Sequence, residues 1–433
     1  MTDWKRTYWV VWMANLITSI GMMSFLPFFP SLLEEMGIEG EASLARWSGV
    51  CFAAAPLLAT FSAPIWGAIG DRYGRKIMVC RAMMAICFFV GAMAFATTPW
   101  QLLFLRCLQG CFSGFIPPSI TLVSVAAPAD QQGRIAGNLA TSMAIGGLLG
   151  PLIGGMAATI LGSHQKVFLL VGLLGGLSAA LVWFGAVEDV STRRQVDGRL
   201  SLAGVLRATG SDLREVWNSP VLRSVAWLVF ALQIGLGAVN PILELYVRDL
   251  LTGVELQGGL LDRMSSLGGA AEGLTLDSRV QTFATSLLFG AMAIANLFAL
   301  QWWGRYGDRI GHRKALIHCG LLCLLALTVQ AAAAAYAVLL VGRLCMGLGM
   351  AGASPLTHGL AANVATADRR GSAFGVIFSA RTLAVAVGGT LGGLFYPLIG
   401  ARGVMLGSGL ILVGALWIFQ VALRHSRRTS EVL

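Results

Sequence analysis

Charge is what this chain has least of. Only 12% of its 433 residues are Asp, Glu, Lys or Arg, against roughly 25% in an ordinary soluble domain. That scarcity excludes a soluble globular protein. Equally absent are a GxxxxGK[ST] nucleotide loop and any nucleophile–base constellation, so the sequence does not read as an enzyme. The eight cysteines (Cys51, Cys80, Cys87, Cys107, Cys111, Cys319, Cys323 and Cys345) fall inside or at the ends of apolar stretches, and none has metal-ligand spacing. They read as small packing residues, with no metal and no cofactor implied. The formal net charge of +10 does not point to nucleic acid, because the basic residues are spread over short loops.

What is present is apolar sequence: 56% hydrophobic residues, a mean hydropathy of +0.74 and 54 glycines. Small residues let membrane helices approach closely. The expectation is an all-α polytopic membrane protein in contact with lipid. A span needs about 20 apolar residues, and twelve candidates follow: 8–30, 47–69, 77–97, 100–126, 135–160, 167–187, 221–245, 280–303, 315–334, 336–362, 371–398 and 402–423. Lys5 and Arg6 precede an apolar run longer than a signal-peptide core, so the start reads as the first span. With the N-terminus inside, 22 of the 31 Lys and Arg fall on the inner side, 6 outside and 3 within spans. The positive-inside rule then makes both termini cytoplasmic.

The chain is duplicated. Gly67-Ala-Ile-Gly-Asp71-Arg72-Tyr-Gly74-Arg75-Lys76 returns 237 residues later as Gly304-Arg-Tyr-Gly-Asp308-Arg309-Ile-Gly-His-Arg-Lys314. LFLRCLQG (103–110) is echoed by LLVGRLCMG (339–347), which sets Arg106 against Arg343 at the same offset. FLPFFPSLL (25–33) has a looser echo in VNPILELYV (239–247), at an offset of 214. The change of offset places an insertion in 251–279, an outer loop that either covers the outer mouth or is mobile. Two six-span halves in the same orientation, 1–189 and 221–433 around a linker at 190–220, would put a binding site between them near mid-membrane.

The charged loop GAIGDRYGRK, the RCLQG of span four and GGLLGPLIGG (146–155) of span five together resemble the major facilitator superfamily, and within it the twelve-span drug:proton antiporters of the MdtG-like group. The resemblance covers nearly the whole chain. It implies the major facilitator fold, with twelve helices as two six-helix bundles. It also implies that the first charged loop (Gly67, Asp71, Arg72, Gly74, Arg75) acts as a conformational latch, holding an outward-facing state. The second copy, with Asp308 and Arg309, points to a structural role for both. Physically, Asp71 is placed to meet a helix N-terminus or an arginine in one conformation only; a topology signal with a helix cap is the plainer reading. In the span-five motif, Gly146, Gly150 and Gly154 form one row, with Gly147, Pro151 and Gly155 beside it. Glycines there allow close packing and Pro151 permits a bend, while the resemblance makes the motif an antiporter signature.

Ionisable residues inside a membrane cost at least about 2.5–3.5 kcal/mol, so they face a cavity or a partner. Arg106, Arg343 and Arg381 qualify. Arg106 shares a face with Gln109, Gly110, Ser113 and Pro117; Arg343 with Gly347, Met350, Ser354 and His358. Span one carries Asn15, Thr18, Ser19 and Met22, and span seven Gln233, Gly237, Asn240 and Glu244. These polar stripes make Asn15, Arg106, Gln109, Gln233, Asn240, Glu244, Arg343, His358 and Arg381 the candidates for the substrate and proton pathway. Span one has no acid. Glu244 is the carboxylate nearest a cavity face, and two roles fit it equally: a proton site, or a surface ion pair with Arg248 one turn on. The resemblance implies a secondary transporter of the bacterial inner membrane, a monomer with no cofactor. It would be driven by the proton gradient and export amphiphilic small molecules. The alternative is a carrier for a dedicated metabolite such as a sugar, siderophore or organic anion.

Overall fold

The computed structural model describes residues 3–127, 132–188, 217–252, 276–364 and 370–430, with isolated positions between 204 and 214. No strand occurs among them. The helices are α1 (Asp3–Phe25), α2 (Phe29–Glu35), α3 (Glu41–Tyr73), α4 (Arg75–Ala85), α5 (Pro99–Phe112), α6 (Ile116–Ala126), α7 (Gln132–Leu161), α8 (Val167–Gly185), α9 (Pro220–Val239), α10 (Leu243–Thr252), α11 (Leu276–Ile310), α12 (His312–Ala331), α13 (Tyr336–Val364) and α14 (Arg370–Ser430). In hydrocarbon a backbone must satisfy its own polar groups, which is why an apolar chain of this length folds almost wholly as helix.

Ten helical stretches among the described residues are long and apolar enough to cross a membrane, where twelve were expected. Two local interruptions bear on the difference. The expected span at 100–126 is not one helix: α5 and α6 are separated at Ser113-Gly114-Phe115, with Gly114 at φ +112° and Pro117-Pro118 following. Pro117 therefore does not continue the helical face of Arg106, Gln109 and Gly110. The 61-residue α14 is broken at Gly400 (φ 67°, ψ 176°), where the expected spans eleven and twelve meet. Most of the expected linker at 190–220, and 253–275 of the expected outer loop, lie outside the described residues.

The repeat is visible in the backbone. Single 3-10 turns interrupt the chain at Leu26–Phe28 and Asn240–Ile242, 214 residues apart, each with proline (Pro27, Pro241) early in the turn. Trp66 Nε1 donates to Cys111 O and Trp303 Nε1 to Leu348 O, both at 2.7 Å, in positions 237 apart. Close helix approach recurs at the same offset. A Cβ on Gly110 would lie 2.4 Å from Ala55 O, and one on Gly347 would lie 2.1 Å from Met292 O.

Glycine also sets how α7 meets α1. A Cβ at Gly146 would strike Ser19, at Gly150 Met23, and at Gly154 the Ser24 carbonyl at 1.9 Å. In the second half, Gly388 and Gly392 press in the same way on Ile234 and Ala238. The second row of the span-five motif does something else. Gly147 faces open space, whereas Gly155 abuts Ser286 and Thr282 of α11. The motif thus packs one half internally with one row and touches the other half with the end of the next. Gly154→Ala is expected to lower thermal stability by about 1–3 kcal/mol, the usual cost of overpacking. Gly147→Ala should leave it unchanged or raise it slightly. Unfolding midpoints of the two variants in detergent, compared with the parent, check this.

Candidate functional site

Arg106 is 2% exposed and fully engaged. Its Nε donates to Cys51 O (2.9 Å), Nη2 to Phe52 O (3.3 Å) and Nη1 to Gln109 Oε1 (2.6 Å). The acceptor at Phe52 has a sequence cause. Pro56 has no N–H for the carbonyl four residues before it, and Arg106 takes that freed oxygen. The rings of Phe25 and Phe29 lie 5.5 and 5.3 Å from the guanidinium. Gln109 Nε2 reaches Met22 Sδ at 3.3 Å. Arg106 and Gln109 together tie α5 to α3 and α1.

Arg343 occupies the equivalent place and is not equivalently satisfied. It is wholly buried, and Nη2 donates to Asn240 Oδ1 at 3.1 Å. Its Nε and Nη1 have no hydrogen-bond partner among the described residues. The counterpart of Phe52 is Phe289, whose ring sits 4.9 Å from the guanidinium. The counterpart of Pro56 is Ala293, which keeps its N–H and frees no carbonyl. The counterpart of Gln109 is Met346, so two substitutions between the copies remove acceptors that Arg106 has and Arg343 lacks.

The other candidates divide by accessibility. Asn15 is buried and its Oδ1 accepts from Ser119 Oγ at 3.0 Å, joining α1 to α6; Gln233 is buried on α9. His358 and Arg381 are accessible although both sit well inside their helices, and His358 lies within the field of Arg381. Ser354 Oγ is 3.3 Å from His358 Nδ1.

Glu244 is fully buried and does not pair with Arg248, so it is no surface ion pair. Its carboxylate accepts from the Ser31 backbone N–H (3.2 Å) and the Ser31 hydroxyl. Arg248 instead meets Glu34 at 2.7 Å. Glu34 and Arg248 are 214 apart, the offset of the repeat, so equivalent positions of the two halves meet each other. This places α2 and α10 beside the pseudo-twofold axis. A third contact joins the halves: His164 lies between Glu35 and Thr282, at 2.7 and 2.9 Å. Glycine packing joins them as well, with Gly49 against Gly389 and Gly393. All these contacts lie at the face opposite the chain termini, and together they form a seam.

At the terminal face, the charged loop turns at Gly74 (φ 116°), and Gly311 (φ 88°) turns its copy. A carboxylate does meet a helix N-terminus there, but it is Glu188. Its oxygens accept from the backbone N–H of Arg75 (2.6 Å) and Lys76 (3.3 Å). Arg72 lies against the Tyr73 ring; the Asp71 side chain lies outside the described set, and Gly67 faces open space. In the second copy Asp308 and Arg309 are exposed, and His312 Nε2 is 3.6 Å from Asp308. Ser31, His164 and Glu188 were not singled out from the sequence. Their partners lie 213, 118 to 129, and 112 to 113 residues away, and no local pattern marks them.

Two helical halves of like construction, joined by polar and glycine contacts at one face, with buried arginines and accessible charge inside the helices, define a polytopic membrane transporter. The chain belongs to the Major Facilitator Superfamily, whose family model matches residues 11–271 and 260–433. It is a transporter fold and not an enzyme. The chain is 27% identical over 431 residues to the multi-drug resistance efflux pump PmrA homolog of Lactococcus lactis, covering 99% of this chain and 98% of that protein. It is 30% identical over 315 residues to the multidrug resistance protein MdtG of Proteus mirabilis, covering 73% and 70%. Among solved structures it resembles a bacterial homologue of the human lysosomal transporter Spinster, in an inward-facing conformation (TM-score 0.72, 12% identity, 98% of each chain). It also resembles the human organic anion transporter MFSD10 (TM-score 0.69, 16% identity, 97% and 100% covered).

The two arginines give a stability test. Arg106→Met removes three hydrogen bonds from a charged donor and leaves buried acceptors unmet, each such bond being worth about 1.5–3 kcal/mol. Arg343→Met removes one bond and eliminates two orphan donors. Arg106→Met is expected to destabilise by several kcal/mol more than Arg343→Met, read as the shift in thermal unfolding of the purified proteins. Equal losses would refute the asymmetry.

Proposed function

We propose that the protein is a secondary active transporter of the bacterial inner membrane that exports amphiphilic small molecules in exchange for protons, by alternating access. The observation that carries this is Glu244: a carboxylate with no exposure, held across the seam by Ser31 of the other half. Parting the seam breaks both Ser31 bonds and delivers the carboxylate to the opposite compartment; closing buries it again. Proton exchange requires a titratable group whose access changes with conformation. The names of the PmrA and MdtG relatives, which are multidrug efflux proteins, support the export of drug-like compounds.

With both termini cytoplasmic, as the Lys/Arg balance implies, the seam seals the outer face and the conformation is inward-facing. The chain divides into bundles 1–189 and 221–433 around 190–220. The charged loop at Gly67–Lys76 then belongs to the inner gate, consistent with a latch that engages when that gate closes. The energetics allow coupling: one charge crossing 100 mV releases about 2.3 kcal/mol, and a tenfold substrate gradient costs about 1.4.

A second reading, a carrier for a dedicated metabolite such as an organic anion, is favoured by the orphaned donors of Arg343 and the accessible Arg381 and His358.

Purified protein in liposomes with an imposed pH gradient, offered a panel of fluorescent cations, neutral amphiphiles and organic anions, tests both readings. Gradient-driven movement of amphiphiles that Glu244→Gln reduces at least tenfold, with downhill exchange retained, is the expected result. Unaltered coupling in Glu244→Gln removes that residue as the proton site. Movement of anions alone, abolished by Arg381→Ala, selects the metabolite reading.

A further inference from the structure

One histidine of the seam is placed to donate twice. His164 sits in the turn between α7 and α8 with its side chain 2% exposed. Its Nδ1 is 2.7 Å from Glu35 Oε1, the same oxygen that receives the His164 backbone N–H at 2.7 Å. Glu35 Oε2 receives the Ser163 hydroxyl (2.6 Å) and the Gln165 N–H (3.2 Å). A carboxylate surrounded by four donors accepts at every contact, so Nδ1 carries a proton. On the other side, Nε2 is 2.9 Å from Thr282 Oγ1, whose own hydroxyl donates to Ser278 O at 2.8 Å. A hydroxyl so directed leaves the threonine oxygen to accept from Nε2–H, whereas a neutral ring would accept the Thr282 hydroxyl instead. The first arrangement is that of imidazolium, which donates from both nitrogens. The Phe28 ring, 5.4 Å away, covers the imidazole.

We propose that the closed seam binds a proton at His164, so that sealing this face is linked to proton uptake from the compartment it faces. The proposal adds a second proton site to the one read at Glu244, and it rests on the reading that the halves part at this face.

The linkage follows from which contact crosses the seam. Glu35 and His164 both belong to the first half, and their contact survives opening. Thr282 belongs to α11. When the halves part, Nε2–H loses its acceptor and meets water, and the proton is held less tightly. A ligand bound better by one state shifts the equilibrium toward that state. Acid on this side therefore favours the sealed conformation, and alkali favours parting. The neighbouring carboxylates favour the protonated ring, and the cations nearby are turned to other partners or stand further along the helix. Glu35 faces the ring from α2, and Glu244 of α10 lies within its field. Glu34 is occupied by Arg248. Lys166, on the same turn, directs its Nζ to Leu161 O at 3.2 Å. On α11 the contact itself is the neutral Thr282, with Asp277 and Arg279 nearer the helix start.

The test reads conformation and needs no substrate. Spin labels on Glu39→Cys and Asp277→Cys, both exposed and in different halves, report separation across the seam by double electron–electron resonance. The full-length protein is held in lipid nanodiscs between pH 5.5 and 8.5. The ratio of parted to sealed molecules is expected to rise with pH, by up to tenfold per unit, the limit for one linked proton. His164→Gln, which keeps a donor for Glu35 but cannot titrate, should flatten that rise. Thr282→Val, which keeps the histidine and removes its partner across the seam, should increase the parted fraction at acid pH. Glu244→Gln should keep most of the slope. A flat profile in the parent, no parting at any pH, or a parental slope in His164→Gln overturns the proposal. Failure of drug export in liposomes, with the slope intact, would overturn the export reading and leave this one standing.

Discussion

A buried polar group inside a membrane protein must find its partner within the protein, since lipid offers none. Most of what is specific here follows from that constraint. Pro56 leaves the Phe52 carbonyl without its helical donor, and Arg106 fills the gap while keeping its own charge inside a shell of oxygens and aromatic rings. Each meets a need of the other: the proline frees a carbonyl and the arginine brings a donor to it. Together they fix the distance between α3 and α5. Gly110, whose Cβ would collide with Ala55, lets the helices come close enough for the bonds to form. Trp66, bonded to Cys111 O where α5 nears its end, pins the same pair of helices again.

The contacts between the halves are of another kind. Within a half, glycine faces backbone and the approach is set by shape. Across the seam, glycine contacts at Gly49, Gly155, Gly389 and Gly393 are accompanied by side-chain pairs that all include an ionisable member: Glu244 with Ser31, Arg248 with Glu34, His164 with Thr282. Shape complementarity of this sort is indifferent to pH and voltage. Hydrogen bonds to titratable groups are not. A joint held by both can close reproducibly and still respond to proton concentration.

The fold was legible in the sequence because its signals are periodic and repeated. Apolar stretches of span length, the 237-residue offset and the glycine rows all survive in the structure, down to paired tryptophan–carbonyl bonds at Trp66 and Trp303. The break at Gly114 was not anticipated. A glycine beside two prolines inside an apolar run lowers hydropathy too little to end a span. At the candidate site, Arg106, Arg343 and Glu244 stood out because charge is rare in such a sequence. Their partners did not, because a serine or histidine carries no mark until the chain has folded. Ser31 is one residue of an apolar run, and His164 one polar residue in a short turn. Only the meeting of α2, α10, α11 and the α7–α8 turn gives them a role.

The repeat also shows where to look for chemistry. Positions that hold the halves in shape keep the same role in both copies: Trp66 and Trp303, Gly110 and Gly347, Gly74 and Gly311, Pro27 and Pro241. Ionisable groups in the spans largely do not. Glu244 corresponds to Pro30, Arg381 to Met143, Arg81 to His318, and the Pro56 and Gln109 that help satisfy Arg106 correspond to Ala293 and Met346. Alternating access asks the two halves to be alike enough to rock about a common axis. The proton exchange proposed above asks for something else, a titratable group whose access changes between conformations, while the gradient sets the direction of the cycle. Duplication supplied the first requirement. The groups that the proposal uses for the second, Ser31, Glu244 and His164, are single-copy and stand where the two halves meet.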